Sequence, residues 1–157
     1  YIANYNSPGQ VVISGTAQSL DRSAEMALAK GARKVVPLQV SGAFHTPLME
    51  PAAEGLTEAL AGVAWSKPEV PVIANTTAQP IKSVSDIKKE LSGQLTHAVK
   101  WQQSVEAMVM HGIDTFVEIG PGKVLTGLIK RISREAKTAN IGDAASLQEY
   151  INGGLSL

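Results

Sequence analysis

The sequence predicts an α/β fold whose sheet is largely parallel and covered by helices. From Ala32 onward, apolar runs of strand length alternate with segments whose apolar residues recur at helical spacing. Strands that alternate with helices pair in parallel and carry the helices on their faces. Ahead of that point the order is strand, strand, helix, strand, which is most of a small split βαβ unit. The handover between the two parts falls at 36–42.

Each element follows from local residues. YIANY and QVVISG flank Asn6-Ser7-Pro8-Gly9, a turn in which Pro presets φ and Gly accepts positive φ, so a hairpin is expected. TAQSLDRSAEMALAKGA places Leu20, Ala24, Ala27 and Leu28 on one helical face, with Gly31 as a C-terminal stop. ARKVVPLQV reads as a strand. LMEPAAEGLTEALAGV puts Met49, Ala52, Ala53, Leu56, Leu60 and Val63 on one stripe. Pro51 is acceptable only in a first turn, so that helix begins at Pro47 to Glu50. VPVIAN (70–75) reads as a short strand. Ile87, Leu91 and Leu95 mark a helix behind Ser85 and Asp86, and Trp101, Val105 and Met108 mark another closed by Gly112. DTFVEIG (114–120) reads as a buried strand, KVLTGLIKRIS as a helix entered through Gly120-Pro121-Gly122, TANIG as a final strand and SLQEYINGG as a terminal helix.

Composition narrows the function classes. Hydrophobic residues at 44% with 18% charged describe a folded, soluble chain. Lys plus Arg (14) balances Asp plus Glu (14), so no bulk field recruits nucleic acid or an anionic membrane. No apolar run is long enough to span a bilayer, and no signal-peptide pattern opens the chain. The absence of cysteine excludes disulfides, thiolate metal sites and a thiol nucleophile, and a cytoplasmic setting fits. The chain starts YIANYN, without Met and already strand-like, so an upstream portion is expected.

Few side chains are placed for chemistry. His45, in VSGAFHTPLM (40–49), lies at a strand-to-helix crossover, where the positive end of the following helix opposes a charged ring and favours a proton acceptor. A histidine bonded to a loop carbonyl is the commoner arrangement, and spacing alone favours it. His97, in QLTHAVKW, and His111, against Gly112, read as structural or solvent-exposed. The three histidines lack a metal-ligand spacing, so no metal site is expected. Ser14, Ser41 and Ser92 each precede Gly, but none sits in a Gly-x-Ser-x-Gly elbow, so the base has no nucleophile on this chain. Lys123 in GPGKVLTG is followed by Val where a phosphate loop needs Ser or Thr, so the segment reads as a turn. Scattered basic residues support no nucleic-acid site.

Four segments taken together, NYNSPGQVVISG (4–15), VSGAFHTPLM (40–49), GQLTHAVKW (93–101) and VEIGPGKVLTGLIKRI (117–132), resemble the malonyl-CoA:acyl carrier protein transacylases. Their order and spacing cover essentially this whole chain and about the second half of that family's fold. The resemblance implies the C-terminal part of an acyltransferase fold: a parallel-sheet, α/β-hydrolase-like core (42–157) plus most of a small ferredoxin-like subdomain (1–41). The implied activity is that of an acyltransferase, an [acyl-carrier-protein] S-malonyltransferase of fatty acid biosynthesis.

The resemblance assigns roles residue by residue. His45 becomes the base of a Ser-His dyad, which overturns the structural reading. Gln94, through its side chain or its backbone carbonyl, orients the His45 ring. Phe44 fills the space an α-methyl group would need and so selects malonyl over methylmalonyl. Asn4 and Asn6 flank the cleft but are left outside the catalytic set. The family's elbow serine, oxyanion-hole glutamine and carboxylate-binding arginine have no counterpart in these residues. Malonyl-CoA is the implied substrate, with no tightly bound cofactor. The implied partners are acyl carrier protein and the missing N-terminal half, without which the chain is expected to be inactive; neither nucleic acid nor membrane is a partner. Two other readings remain: a non-catalytic carrier-protein interaction module, and a thioester hydrolase in which water is the acceptor.

Overall fold

The computed structural model describes residues 1–153. The fold is α/β with a parallel strand pair, as the sequence predicts. The chain divides into two compact units, one of Tyr1–Tyr5 with Val11–Lys100, the other of Asn6–Gln10 with the chain from Trp101 onward.

β1 (Ile2–Ser7) and β2 (Gln10–Ile13) form the expected hairpin. α1 (Ala17–Ala29) starts at Thr16, whose hydroxyl accepts the Ser19 N–H, and ends where Gly31 takes φ +96°, a conformation that a Cβ disfavours. The third strand of the small unit does not form. Among the described residues no ladder includes 32–40, and Val35, Val36, Leu38 and Val40 are exposed. The pattern reports propensity for a pleated, half-buried surface, whereas a strand exists only where a neighbour supplies the hydrogen-bond ladder. The segment 70–75 departs from expectation in the same way. It makes an isolated bridge from Ile73 to Pro80, closed by Ile81 N–H to the Val72 carbonyl at 2.8 Å.

A 3₁₀ turn, Pro47–Met49, leads into α2 (Glu50–Ala61), with Pro51 in the first turn where its missing N–H costs nothing. α3 (Val84–Gly93) begins slightly earlier than the apolar spacing marks. Ser83 accepts the Asp86 N–H and the Asp86 carboxylate accepts the Lys82 N–H, a reciprocal cap that fixes the entry. After α3 the chain runs beside β1, with Val99 N–H donating to Ala3 and Tyr5 N–H donating to Val99. The buried apolar residues of this unit are the alanines Ala3, Ala74 and Ala78. Its larger aliphatic side chains are therefore only partly covered.

In the second unit, α4 (Trp101–Met110), β3 (Thr115–Ile119), α5 (Val124–Ile132), β4 (Lys137–Ile141) and α6 (Ala144–Ile151) follow in order. β3 and β4 pair in parallel, from Thr115 opposite Lys137 to Ile119 opposite Ile141. Val105, Phe116, Ile129 and Ala136 form the core, with Trp101, Met108, Val109 and Ile132 against it. The expectation of a buried β3 holds for one face only. Phe116 is covered, but Val117 and Ile119 are exposed, because alternate strand residues point to opposite faces and the helices cover one. Asp143 caps α6 through the Ser146 N–H; Gly154, the last residue of the expected terminal helix, lies outside the described residues.

Candidate active-site groove

The geometry around His45 begins with an uncomfortable backbone. Its φ is +62°, in the left-handed region that non-glycine residues seldom occupy. Such strain costs on the order of 1–3 kcal/mol and persists only where the surroundings over-determine it. Here they do. His45 N–H donates to the Leu95 carbonyl at 2.8 Å. The next residue, Thr46, is fully buried; its hydroxyl donates to the Ala43 carbonyl at 2.7 Å and accepts the Leu48 N–H at 3.2 Å. The turn is thereby closed on both sides of the ring.

The ring is held at one atom. Nδ1 lies 2.8 Å from the backbone carbonyl of Gln94. A carbonyl only accepts, so Nδ1 is the donor, and in the neutral ring Nε2 is the acceptor. Gln94 follows the last turn of α3, where carbonyl groups have no intrahelical partner. Two such carbonyls, of Gln94 and Leu95, hold the one residue. It is the backbone of Gln94, not its amide, that meets the ring.

His45 opens onto a groove of about 650 Å³ that Tyr1, Tyr5, Pro47, Glu50 and His97 also line. The groove is formed entirely within the first unit. Phe44 is not among the lining residues; its ring is partly exposed and comes within 3.3 Å of where a Cβ on Gly42 would stand. Asn4 pairs through its backbone with Val99.

His97 is the lining residue that sequence spacing passes over. The one available sign is its place four residues after Gly93, at the end of α3, where the chain folds back on the last turn. Its Nδ1 lies 3.0 Å from the Gly93 carbonyl and 2.9 Å from the Thr96 hydroxyl. His111 is placed as the sequence predicts, at the C-terminal end of α4 with Nδ1 2.7 Å from the Ala107 carbonyl.

The Gly-Pro-Gly segment is a turn, with Gly120 at φ +140° and Gly122 at φ +91°. The amides that a phosphate would need are already used. The Glu118 carboxylate accepts the N–H groups of Leu125 (3.1 Å) and Thr126 (2.7 Å) and the Thr126 hydroxyl (2.6 Å). Partial desolvation works to raise the pKa of Glu118. The bonds from Thr126, Leu125 and Val124 outweigh it and hold the carboxyl below the usual range. Among the described residues no group of three or more His, Asp or Glu side chains could hold a metal ion, and no helix is long and apolar enough to cross a membrane.

Comparison with known proteins agrees with this architecture. The profile of the acyl transferase domain matches residues 1–154. A malonyl CoA-acyl carrier protein transacylase of Bacillus subtilis is 44% identical over 147 residues, covering 94% of this chain and 46% of that protein. The enzyme of the same name from Salmonella typhimurium is 40% identical, covering 92% of this chain and 47% of its own length. Among solved structures, the malonyl-CoA:acyl carrier protein transacylase of Xanthomonas oryzae superposes with a TM-score of 0.91 at 41% identity, over 97% of this chain and 48% of that one. A malonyl-transacylase solved in complex with its type II PKS acyl-carrier protein gives a TM-score of 0.92 at 39% identity, over 97% and 49%. The chain spans about half the length of the relatives it matches.

Proposed function

The chain belongs to the acyl transferase domain family, and from that premise we propose that it supplies the general base of a malonyl transfer site, moving malonyl from coenzyme A to acyl carrier protein. The observation that carries this is the His45–Gln94 contact. With Nδ1 committed to that carbonyl, the neutral ring presents Nε2 as its acceptor at the wall of an open groove, the form a proton acceptor needs.

His45 Nε2 takes the proton of a serine hydroxyl supplied from outside these residues as that oxygen bonds to the thioester carbonyl. The carbon–sulfur bond breaks, and coenzyme A leaves with the proton returned by the imidazolium. In the second half the thiol of the carrier protein's phosphopantetheine gives its proton to Nε2, and its sulfur attacks the malonyl–serine ester. The proton then returns to the serine oxygen. Each half uses the ring once as base and once as acid. A neutral carbonyl behind Nδ1, in place of a carboxylate, suffices because a thioester is attacked more easily than an amide.

Phe44 stands outside the groove lining, and its assignment to malonyl selection comes from the resemblance alone. The test is malonyl loading of acyl carrier protein by the protein that carries this chain together with its serine. His45→Ala abolishes loading if the base is correctly assigned, and loading that survives refutes it. Coenzyme A release that does not depend on carrier protein would instead mark a hydrolase.

A further inference from the structure

The groove holds two imidazoles, and they are wired differently. His45 Nδ1 meets only a carbonyl, so one tautomer satisfies it. His97 Nδ1 meets both a carbonyl, Gly93 at 3.0 Å, and a hydroxyl, Thr96 at 2.9 Å. With the proton on Nδ1, the ring donates to Gly93 and Nε2 is an acceptor. With the proton on Nε2, the Thr96 hydroxyl donates to Nδ1 and Nε2 is a donor. Gly93 remains satisfied in both cases by the N–H groups of Thr96 (3.1 Å) and His97 (3.0 Å). No described side chain or backbone group bonds to Nε2 of His97.

A group that either donates or accepts matches a ligand that presents both kinds of atom. Glu50 lines the same groove, and its carboxylate disfavours a bound anion there. A neutral amide fits both conditions, and a carboxylate or phosphate fits neither. Resting on the proposed transfer of malonyl, we propose that His97 is a binding residue for an amide of the pantetheine arm shared by coenzyme A and the carrier protein, held through Nε2. His45 then does the chemistry while His97 aligns the arm.

The test uses the whole enzyme that carries this chain. One lost hydrogen bond predicts that His97→Ala raises KM about three- to tenfold for both malonyl-CoA and holo-acyl carrier protein, with kcat within about twofold. His97→Gln, which retains a donor and an acceptor, recovers most of the loss. With the S-ethyl thioester of malonate, which carries no amide, the His97→Ala penalty disappears. Should His97→Ala not fold, His97→Phe keeps the ring without its nitrogens and carries the same expectation. An equal penalty on the amide-free thioester, an unchanged KM, or a fall confined to kcat would overturn the proposal. His45→Ala separates the two readings: activity that survives that change refutes the transfer mechanism itself, whatever His97 does.

Discussion

The His45 ring nitrogen Nδ1 sits 2.8 Å from the carbonyl oxygen of Gln94, so of the two groups the resemblance offers at that position it is the backbone that makes the contact. Every residue type carries the same backbone carbonyl at position 94. Gln94→Ala is therefore expected to load malonyl within about twofold of the parent, with an unaltered pH profile. His45→Ala loses essentially all loading. A loss of a hundredfold or more in Gln94→Ala, read from initial rates, would show that the amide is needed.

Thr46 is predicted to act on the site without touching substrate. Thr46→Val keeps the shape but leaves the Ala43 carbonyl and the Leu48 N–H without their partner in a partly buried place. Such a loss costs about 1–3 kcal/mol. It also releases one of the two clamps on the strained His45 backbone, so kcat falls while KM changes little. Chemical denaturation and steady-state kinetics check both parts.

The left-handed backbone at His45 makes a separate prediction about stability. Both His45→Ala and His45→Gly remove the ring and its bond to Gln94, but only glycine relaxes φ +62°. His45→Gly should be the more stable of the two by about 1 kcal/mol, because the steric cost of that backbone is lifted. The opposite order in urea unfolding would mean that the strain is absent in solution.

The parts of the fold that were legible in the sequence are those decided locally. Gly31 marks a helix end through a dihedral angle confined to its own residue, and Pro51 marks a first turn for an equally local reason. The strands read at 32–40 and 70–75 do not form, since the same apolar pattern becomes a strand only if a partner pairs with it. The site divides the same way. His45 stands out by its junction, but its link to Gln94 joins positions 49 apart, and spacing says nothing of such distances. His97 joins the groove because α3 ends at Gly93 and the chain turns back, which periodicity alone does not place.

Glu118 predicts a pH dependence of stability. Its folded pKa lies below the ordinary value of 4.5, because the donors at the start of α5 outweigh partial desolvation. A depressed carboxylate stabilises the fold above its unfolded pKa, and that contribution fades as pH falls through the folded value. Glu118→Gln should therefore be less stable than the parent by a constant amount near neutrality, with the gap closing below about pH 4.5. Glu118→Ala, which removes the cap from α5 altogether, should cost about 1 kcal/mol at pH 7. Melting temperatures across pH 3–7 test the sign; a gap that widens in acid would contradict it.

The exposed run Val35, Val36, Leu38 and Val40 leads to the last prediction. Four aliphatic side chains in six residues, with no ladder to occupy their backbone, form a surface that another strand can pair with. The same unit buries alanines but no larger apolar residue, so little of its own core competes for these side chains. The 157-residue polypeptide on its own is therefore expected to self-associate at micromolar concentrations and to bind a hydrophobic dye. Replacing Val36 and Leu38 with lysine blocks pairing with like charge and should return it toward monomer. If sedimentation instead finds the parent chain monomeric and its unfolding cooperative, the run is satisfied within the chain in solution and the predicted pairing surface does not exist.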